Sequence, residues 1–569
     1  MSKAKPYSQT LHSWWIDSLF LLLVLGLLFF LLLGARPLFT PDEGRYAEIA
    51  REMVARGDYV TPYLNSIKYF EKPILFYWLE SAAIKIAGLN LWSLRGVNAL
   101  LGLAGCLLTY FTARRLYGRS TGLLAAMILG TSTLYFVMTR MISLDLTVTL
   151  FLTLTLYAFL LGSLAPYGKA RRLYLYAASV AAALAVLTKG LIGLVFPLMI
   201  IGTFMAMTGE WRSLKRFYLP SCLALFLLIA LPWHGLVGWR NPEFFYFYFI
   251  EQHFLRYTNM NIGHYQPAWF FLPNLVLGFF PWVVFLPQAL GQMGNKVIKQ
   301  PRTYKTELFF LLWIVLIFAF FSFSKSKLIP YILPLFPPLA ILVARYLQGA
   351  MQHAYRWGTR IGYACLVFLT LAIAGAFYLF LRDTPLPYPH TAAYLLYSAV
   401  ALLGTGALAG GIMVYRQAGK AIMITTASAW LFLLLLMAAF PAIDTRTILP
   451  LAQLLQPQLT PTDEVITFNQ YYQDLPFYLK RRITILNWKN ELTYGMRHQD
   501  TQEWMINNTV FWQRWHSPQR VFVILSEDSY QRLLQRYPQE KFHLLGKTLT
   551  NALISNRPKS SSPLDMLTH

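Results

Sequence analysis

Acidic side chains crowd one stretch of the chain, and a lysine follows the last of them directly. The acids are Asp42, Glu43, Glu48, Glu52 and Glu71. Lys72 comes next, inside the motif YFEKP. A carboxylate can orient or deprotonate an attacking group and a cation can stabilise a leaving phosphate, so the stretch suits group transfer from a phosphate. The spacing is equally compatible with structural roles. Asp42 and Glu43 would then stabilise the start of a helix capped by Thr40, and Lys72 would reach lipid headgroups.

Two acids, one of them further along the chain, stand beside apolar sequence. Glu71 and Lys72 precede an apolar segment, where each charge is costly unless it has a partner. Asp145 follows the residues RMIS at the start of a long apolar run. It either caps a helix or faces a polar cavity, because contact with lipid would be unfavourable for its charge. We interpret Asp145 as a cavity residue.

The segment FIEQHFLRYTNMNIGHYQP offers further polar candidates. Arg256 is suited to holding a phosphate through two parallel hydrogen bonds. A zinc or other divalent site could use Glu71 or Glu251 together with His253. The spacing of these residues is weak evidence, and ordinary surface histidines are the alternative. No cofactor is required by the sequence, and a divalent metal such as zinc stays open.

A second group of cations lies in the motif SKSKLIPYILP. It contains Lys325, Lys327 and Tyr331. The motif falls between two apolar runs on the side of the membrane where basic residues are disfavoured, so an anion is expected there. Either a bound phosphate or anionic lipid headgroups would explain the charge.

Long apolar runs must position all of these residues. Of the 569 residues, 56% are hydrophobic and only 13% are charged, and the runs are long enough for a bilayer. We predict thirteen membrane spans, the first being a retained signal anchor. They lie near 17–36, 92–113, 120–138, 146–164, 173–188, 190–208, 218–236, 271–290, 308–323, 329–347, 361–381, 392–414 and 421–440.

The loops between these spans predict the orientation of the chain. Every second loop is basic, for example Arg114 to Arg119, and we expect these loops in the cytoplasm. The acids and aromatics then fall on the outer face, where the loop 37–91 would contain interfacial helices. After residue 440 the sequence becomes polar with apolar alternation, which predicts a small outer α/β domain over 441–569, separate from a membrane domain over 1–440.

The formal net charge of +24 would suggest nucleic acid as a partner in a soluble protein. Here basic loops and lipid headgroups account for most of it, so we expect membrane lipids and no nucleic acid as partners. The sequence lacks a Walker-type phosphate loop, which binds nucleotides. Such a loop is not required if the transferred group is donated by a lipid phosphate in the membrane.

The stretch FTPDEGRYAEIAREMVARGDYVTPYLNSIKYFEKPILFYWLES resembles the first periplasmic loop of bacterial 4-amino-4-deoxy-L-arabinose transferases of lipid A. That family belongs to the protein-mannosyltransferase-like GT-C glycosyltransferases. The motifs RMISLDLTV, LTKG, EQHFLR, PW and SKSKLIPYILP extend the resemblance over the membrane region. The resemblance implies a polytopic α-helical GT-C fold with about thirteen transmembrane helices and a periplasmic C-terminal domain.

The resemblance also implies an activity. It points to inverting transfer of the amino sugar from undecaprenyl phosphate to a lipid A phosphate at the outer face of the bacterial inner membrane, which confers resistance to cationic peptides. Asp42, Glu71, Lys72 and Asp145 match the family's active cavity. The resemblance also assigns contacts with the donor phosphate to Arg256, Lys325 and Tyr331, which match the family less closely.

Two alternatives stay open. One is a transferase that moves a hexose from a polyprenyl phosphate to protein or to another glycolipid, since fold and phosphate contacts would be shared. The other is a lipid-sugar flippase or transporter. Such proteins more often show paired repeats and broken helices, and the sequence gives no sign of either.

Overall fold

Long apolar helices dominate the computed structural model, which describes residues 14–255, 265–352 and 356–558. In chain order the α-helices up to residue 443 are α1 (Trp14–Phe30), α2 (Asp42–Arg56), α3 (Leu75–Ala87), α4 (Leu91–Tyr117), α5 (Arg119–Gly130), α6 (Thr133–Thr139), α7 (Leu144–Leu164), α8 (Lys169–Lys189), α9 (Ile192–Thr208), α10 (Leu219–Arg240), α11 (Phe271–Gly278), α12 (Leu286–Lys299), α13 (Lys305–Phe323), α14 (Phe336–Met351), α15 (Arg356–Asp383), α16 (Pro389–Met413) and α17 (Ala418–Ile443). A π-helix covers Tyr246–Leu255, and 3-10 helices cover Glu210–Phe217, Ala268–Phe270, Trp282–Phe285 and Ile329–Leu335.

Nine helices within the described ranges are long and apolar enough to cross a membrane, and two bent helix pairs raise the number to eleven. Two shorter apolar helices, α1 and α9, coincide with the remaining predicted spans. Each of the thirteen predicted spans therefore overlaps an apolar helix or a bent pair. The chain is a polytopic α-helical membrane protein, as predicted.

Two of the predicted spans are not continuous helices. The helices α5 and α6 meet at an angle of 69°, and the pair formed by Ala268–Gly278 and Trp282–Lys299 bends by 106°. Pro281 lies in the second break and has no backbone N–H to donate. At the first break the Thr131 hydroxyl donates to the carbonyl of Met127, a contact that bends helices. The expectation of unbroken helices was wrong.

The two breaks contact each other. The carbonyl of Phe280 accepts hydrogen bonds from the backbone N–H and the hydroxyl of Thr133, both at 3.0 Å. The indole N–H of Trp282 donates to the Thr131 hydroxyl at 2.9 Å. Backbone groups freed by a helix break need partners inside the protein at membrane depth, and each break supplies them to the other.

The first outer loop contains α2 and α3, joined by a small antiparallel hairpin of β1 (Tyr63–Leu64) and β2 (Ile67–Lys68). The predicted helices of this loop are therefore present. The predicted cap is wrong in one detail, because Thr40 makes no side-chain cap and Pro41 occupies the N-cap position of α2. The Glu43 carboxylate instead accepts the N–H of Phe39 at 2.8 Å.

Beyond residue 443 the chain forms a six-stranded sheet with short helices. Its strands are β3 (Glu464–Phe468), β4 (Thr484–Leu486), β5 (Met505–Ile506), β6 (Val521–Ser526), β7 (His543–Lys547) and β8 (Asn551–Ser555). The strand order is β5-β4-β3-β6-β8-β7. The first four strands are parallel to one another, and β8 is antiparallel to both of its neighbours, β6 and β7. The helices are α18 (Leu449–Leu455), α19 (Leu475–Leu479), α20 (Thr493–Arg497), α21 (Asn508–Trp515) and α22 (Glu527–Arg536), with 3-10 turns at Gln456–Gln458 and Asn490–Leu492. The predicted small α/β fold is present, whereas the exact boundary at 440/441 stays a prediction.

The sheet domain packs directly on the first outer loop. The side-chain amide of Asn65, at the hairpin turn, donates to the carbonyl of Ile483 and accepts its N–H, at 2.9 and 3.0 Å. Lys68 donates its backbone N–H to the side chain of Gln499 at 2.6 Å. One buried apolar cluster includes residues from α2, the hairpin, α3 and the sheet domain. The outer loop is therefore held between the membrane helices and the C-terminal domain.

Candidate active site

Glu43 anchors the start of α2 to the membrane helices. Its fully buried carboxylate binds the guanidinium groups of Arg36 and Arg95, with Arg95 contacts of 2.9 Å. It also accepts the backbone N–H of Ile142 at 2.9 Å. Burial alone would raise the pKa of Glu43, but the charges of Arg36 and Arg95 outweigh it and lower the pKa to about 2. Glu43 is therefore a structural acid.

The same network fixes the entry to α7. Arg36 donates to the carbonyl of Arg140 at 2.9 Å, and Arg140 itself bonds to the carbonyls of Leu28 and Phe29. These buried bonds tie the segment before Asp145 to the start of α2. Asp42 and Asp145 are therefore carried by two rigidly connected helix starts.

Asp42 turns away from this buried network. Its side chain is 55% exposed, and its carboxylate lies 3.3 Å from the guanidinium of Arg45. Arg45 also lies 3.3 Å from Glu491 of the C-terminal domain. Burial, together with the charges of Asp42 and Asp145, raises the pKa of the Tyr46 phenol. An exposed carboxylate next to a half-buried cation suits the binding of a polar substrate.

Asp145 forms an ion pair with Lys189 at the end of α8. The two side chains are 14% and 12% exposed, so the pair is poorly hydrated. The Lys189 ammonium lies 4.6 Å from the ring centre of Tyr331. Ser143 caps α7 by accepting the N–H of Asp145 at 3.2 Å, and its hydroxyl donates to the Asp145 carboxylate at 3.1 Å. The cap is therefore a serine, and the aspartate carboxylate pairs with Lys189. The structure thus brings Asp145 and Tyr331 together through Lys189.

Glu71 and Lys72 lie in the YFEKP motif, between β2 and α3. Both side chains are half-buried, and the Lys72 ammonium donates to the carbonyl of Glu71 at 3.0 Å. Burial, together with the charge of Glu71, raises the pKa values of Tyr69 and Tyr77. The ring of Tyr46 on α2 lies 5.7 Å from that of Phe76 and 6.2 Å from that of Tyr77, so the segment after the YFEKP motif packs on α2.

The two lysines of the SKSK motif differ from each other. Lys325 is half-buried. Lys327 is 3% exposed and donates to the backbone carbonyls of Gln266, at 2.7 Å, and Ser324. Burial and the neighbouring charge of Lys325 lower the pKa of Lys327. The Lys327 ammonium therefore holds the loop through two carbonyls, and its predicted contact with a phosphate stays a prediction.

Two predicted residues cannot be placed. Arg256 and the side chain of His253 lie outside the described residues. Within the described part of the chain, no group of three or more His, Cys, Asp or Glu side chains could hold a metal ion. The metal site with Glu71 or Glu251 stays a prediction.

Three residues of this region escaped the sequence interpretation. Arg45 lies in the quoted motif DEGRYAE and Lys189 in LTKG, so both were visible but received no role. A lysine that ends an apolar run and has an aspartate available on a neighbouring span is a recognisable signal. No sequence signal marked Glu491, because its proximity to Arg45 depends on how the C-terminal domain packs.

We expect Gly44→Ala to destabilise the contact between α2 and the C-terminal domain. A Cβ atom at Gly44 would lie 2.5 Å from the backbone nitrogen of Asp474, so the two elements must separate. Overpacking of this kind costs about 1–3 kcal/mol. The apparent unfolding temperature in detergent should fall. Gly96→Ala, in α4, is the control because nothing lies within 4 Å of its added Cβ. Equal unfolding temperatures for the two variants would contradict the close contact.

We expect Glu80→Gln to stabilise the protein at alkaline pH. Glu80 on α3 is fully buried, and neither carboxylate oxygen has a hydrogen-bond partner among the described residues. Burial and then the charge of Glu43 raise its pKa. The folded protein keeps a proton that the unfolded chain loses, so this group reduces stability as pH rises above about 4. The gain in unfolding temperature should be larger at pH 8 than at pH 5.

Glu43→Gln is the matched control for this prediction, because Glu43 has the opposite shift. Its pKa of about 2 means that its stabilisation is present above about pH 4 and is lost as the pH falls towards 2. Glu43→Gln should therefore lower the unfolding temperature at both pH 5 and pH 8. A loss of stability for Glu80→Gln at pH 8 would show that its carboxylate is charged and partnered.

Comparison with known proteins supports a single family. Residues 14–248 match the dolichyl-phosphate-mannose-protein mannosyltransferase family, and residues 451–548 match the aminoarabinose transferase C-terminal domain. The crystal structure of ArnT from Cupriavidus metallidurans bound to undecaprenyl phosphate superimposes with a TM-score of 0.86. The sequences are 26% identical, and the match covers 97% of this chain and all of that chain.

Curated relatives cover most of the chain. An undecaprenyl phosphate-alpha-4-amino-4-deoxy-L-arabinose arabinosyl transferase of Pectobacterium carotovorum is 30% identical over 506 residues, which are 87% of this chain and 89% of the relative. A protein of the same name from Yersinia pestis is 30% identical over 500 residues, covering 85% and 88% of the two chains. The resemblance of the first outer loop is thereby confirmed along the chain. The chain belongs to the family of undecaprenyl phosphate-alpha-4-amino-4-deoxy-L-arabinose arabinosyl transferases.

Proposed function

We propose that the chain transfers 4-amino-4-deoxy-L-arabinose from undecaprenyl phosphate to a phosphate group of lipid A. Family membership makes it a polyprenyl-phosphate-dependent glycosyltransferase. One observation carries the assignment of the site. Asp42 begins α2, and the carboxylate of its neighbour Glu43 accepts the N–H of Ile142 at 2.9 Å, three residues before Asp145. The segment after the YFEKP motif packs on the same helix, because the ring of Phe76 lies 5.7 Å from that of Tyr46.

The proposed chemistry is a single inverting displacement. An oxygen of the acceptor phosphate attacks the anomeric carbon of the sugar, and the bond from that carbon to the polyprenyl phosphate oxygen breaks. The departing oxygen keeps the electron pair, and the cations Lys72 and Lys189 stabilise its charge. Arg256 is retained as a further phosphate ligand on the basis of the resemblance. The acceptor phosphate is already ionised near neutral pH, so little deprotonation is needed.

The carboxylates then have other roles. Asp42 is exposed enough to contact the sugar, and its charge suits the amino group of aminoarabinose. Asp145 holds the Lys189 ammonium in position through their ion pair. A general base would be needed only for a hydroxyl acceptor, and Asp42 would then fill that role.

The proposed location is the bacterial inner membrane with the site and the C-terminal domain in the periplasm. Basic residues in alternate loops support this orientation, because such loops favour the cytoplasm. The proposed partners are lipid A, as acceptor, and the lipids of the membrane. Resistance to cationic peptides would follow from the loss of negative surface charge.

A second candidate is transfer of a hexose to protein or to another glycolipid. It is favoured by the match of residues 14–248 to a protein mannosyltransferase family. The C-terminal match to aminoarabinose transferases weighs against it.

Mass spectrometry of lipid A separates these candidates. Cells that express the chain should carry lipid A enlarged by an aminopentose, and cells without it or with Asp42→Ala should not. Asp58→Ala is the control, because Asp58 lies at the far end of α2 near Arg240. A hexose adduct, or unmodified lipid A despite normal expression of the wild-type chain, would refute the proposal.

A further inference from the structure

The C-terminal domain contains a polar cavity that the proposed reaction does not use. Its volume is 560 Å³, within the range of about 300–1,000 Å³ that is typical of small-molecule sites. The cavity lies where β4 and β5 end, at Asn487 and Asn507. The carboxyl ends of parallel strands are the edge at which open α/β sheets bind ligands.

The lining combines an aromatic ring with amides. Trp488 lines the cavity, and its buried indole N–H has no hydrogen-bond partner among the described residues. Asn487, Gln499, Gln502 and Asn507 add amide groups. The Asn487 nitrogen already donates to two asparagines, and the oxygens of Gln499 and Asn507 each accept a backbone N–H. The Asn487 oxygen, the Gln499 and Asn507 nitrogens and the Gln502 amide are the groups that a ligand would meet. An aromatic surface beside several amides matches a ring with an apolar face and hydroxyl groups at its edge. That is the chemistry of a sugar ring.

The cavity adjoins the first outer loop. Gln499 accepts the backbone N–H of Lys68 at 2.6 Å, and a Cβ atom at Gly495 would lie 2.3 Å from the carbonyl of Lys68. The Lys68 ammonium lies 3.2 Å from Glu243, just beyond the outer end of α10. A headgroup at the membrane surface would therefore meet this edge of the domain.

The cavity is also close to the candidate active site. Glu491, three residues after Trp488, lies 3.3 Å from Arg45, which in turn contacts Asp42. Three residues span at most about 11 Å. A disaccharide with one ring on Trp488 could thus extend towards the reacting groups at Asp42.

We infer that this cavity binds a sugar ring of the glycolipid acceptor, stacked on Trp488 and hydrogen-bonded by the surrounding amides. The inference rests on the proposed function, because it takes a glycolipid as the acceptor. The cavity would act as a specificity subsite that holds the acceptor while one of its phosphates reaches the donor. Its residues would contribute to acceptor binding and not to the displacement itself.

The test is steady-state transfer by the full chain in detergent, with aminoarabinosyl undecaprenyl phosphate as donor and purified lipid A as acceptor. Trp488→Ala should raise the KM for lipid A at least about tenfold, with kcat and the KM for the donor within twofold of wild type. Trp488→Phe, which keeps an aromatic face, should recover most of the affinity. An unchanged KM for lipid A, or a loss confined to kcat, would overturn the inference.

A second variant guards against misfolding of Trp488→Ala. Gln502 is exposed on the cavity rim, and Gln502→Ala should raise the KM for lipid A about threefold or more. Gln531→Ala is the matched control, since Gln531 is an exposed glutamine on α22 of the same domain. Equal KM values for the two glutamine variants would overturn the inference.

A soluble probe separates headgroup binding from membrane partition. The phosphorylated glucosamine disaccharide of lipid A, without acyl chains, should inhibit competitively with lipid A, and Trp488→Ala should weaken this inhibition about tenfold. Inhibition that is unaffected by Trp488→Ala would overturn the inference. Failure of the wild-type chain to modify lipid A at all would instead refute the proposed function.

Discussion

Replacing Lys72 by alanine should lower the rate of sugar transfer by on the order of 100-fold or more, which is typical for the loss of a group that stabilises charge in the transition state. The Lys72 side chain is half-buried, its ammonium donates to the carbonyl of Glu71, and Tyr69 and Phe70 of the same motif are buried. A cation in such a site is desolvated and fixed before the phosphate leaves. The effect should therefore fall on kcat, with normal expression and an unchanged unfolding temperature.

Lys85 provides the matched control for Lys72. It lies on α3 of the same outer loop, is exposed, and stacks on Tyr59 at 4.6 Å. A lysine that only attracts lipid headgroups should behave like Lys85, so Lys85→Ala is expected to keep wild-type turnover. The assay should use a neutral detergent, where the anionic leaflet is absent. Similar turnover for the two variants would remove Lys72 from the site.

The second large effect concerns the ion pair between Asp145 and Lys189. We expect Asp145→Asn and Lys189→Gln each to reduce kcat by on the order of 100-fold. The reason is shared, because removing either charge leaves the other without its partner in a poorly hydrated site. The double variant should have a kcat no lower than that of the more impaired single variant, since the two residues act as one unit.

A double-mutant cycle on turnover measures this coupling. A control cycle can use Arg482 and Glu503, an exposed ion pair of the C-terminal domain at 2.9 Å. Exposed pairs typically contribute about 0–1 kcal/mol, so this cycle should show little effect on stability and none on turnover. Strictly additive losses for Asp145 and Lys189 would mean that the two residues act independently, contrary to the geometry.

The membrane helices were predictable because their signal is strong and local. An apolar run of about 20 residues has few solutions other than a membrane span. The breaks at Thr131 and Pro281 were not predicted, because each is tolerated only through hydrogen bonds with the other. Broken helices had been taken as a mark of transporters, so that argument against a flippase fails. Membership in the transferase family decides the question instead.

The candidate site was predictable where its residues stand in dense motifs. Asp42, Glu71, Lys72 and Asp145 were identified from such motifs, and their roles in the site stay predictions. The roles of neighbours were harder to assign, since Glu43 and Asp42 are adjacent acids and only packing shows that Glu43 is buried and Asp42 exposed. The carbonyl partners of Lys327 were not predictable for the same reason, because they come from folding of the loop.

The linkage in the product tests the central claim most directly. Purified chain, aminoarabinosyl undecaprenyl phosphate and lipid A should be incubated, and the lipid product examined by phosphorus NMR and mass spectrometry. Transfer to a lipid A phosphate converts a phosphate monoester into a diester, gains one aminopentose and releases undecaprenyl phosphate in equal amount. A product that gains the sugar while both phosphates remain monoesters would contradict the account, because the acceptor would then be a hydroxyl.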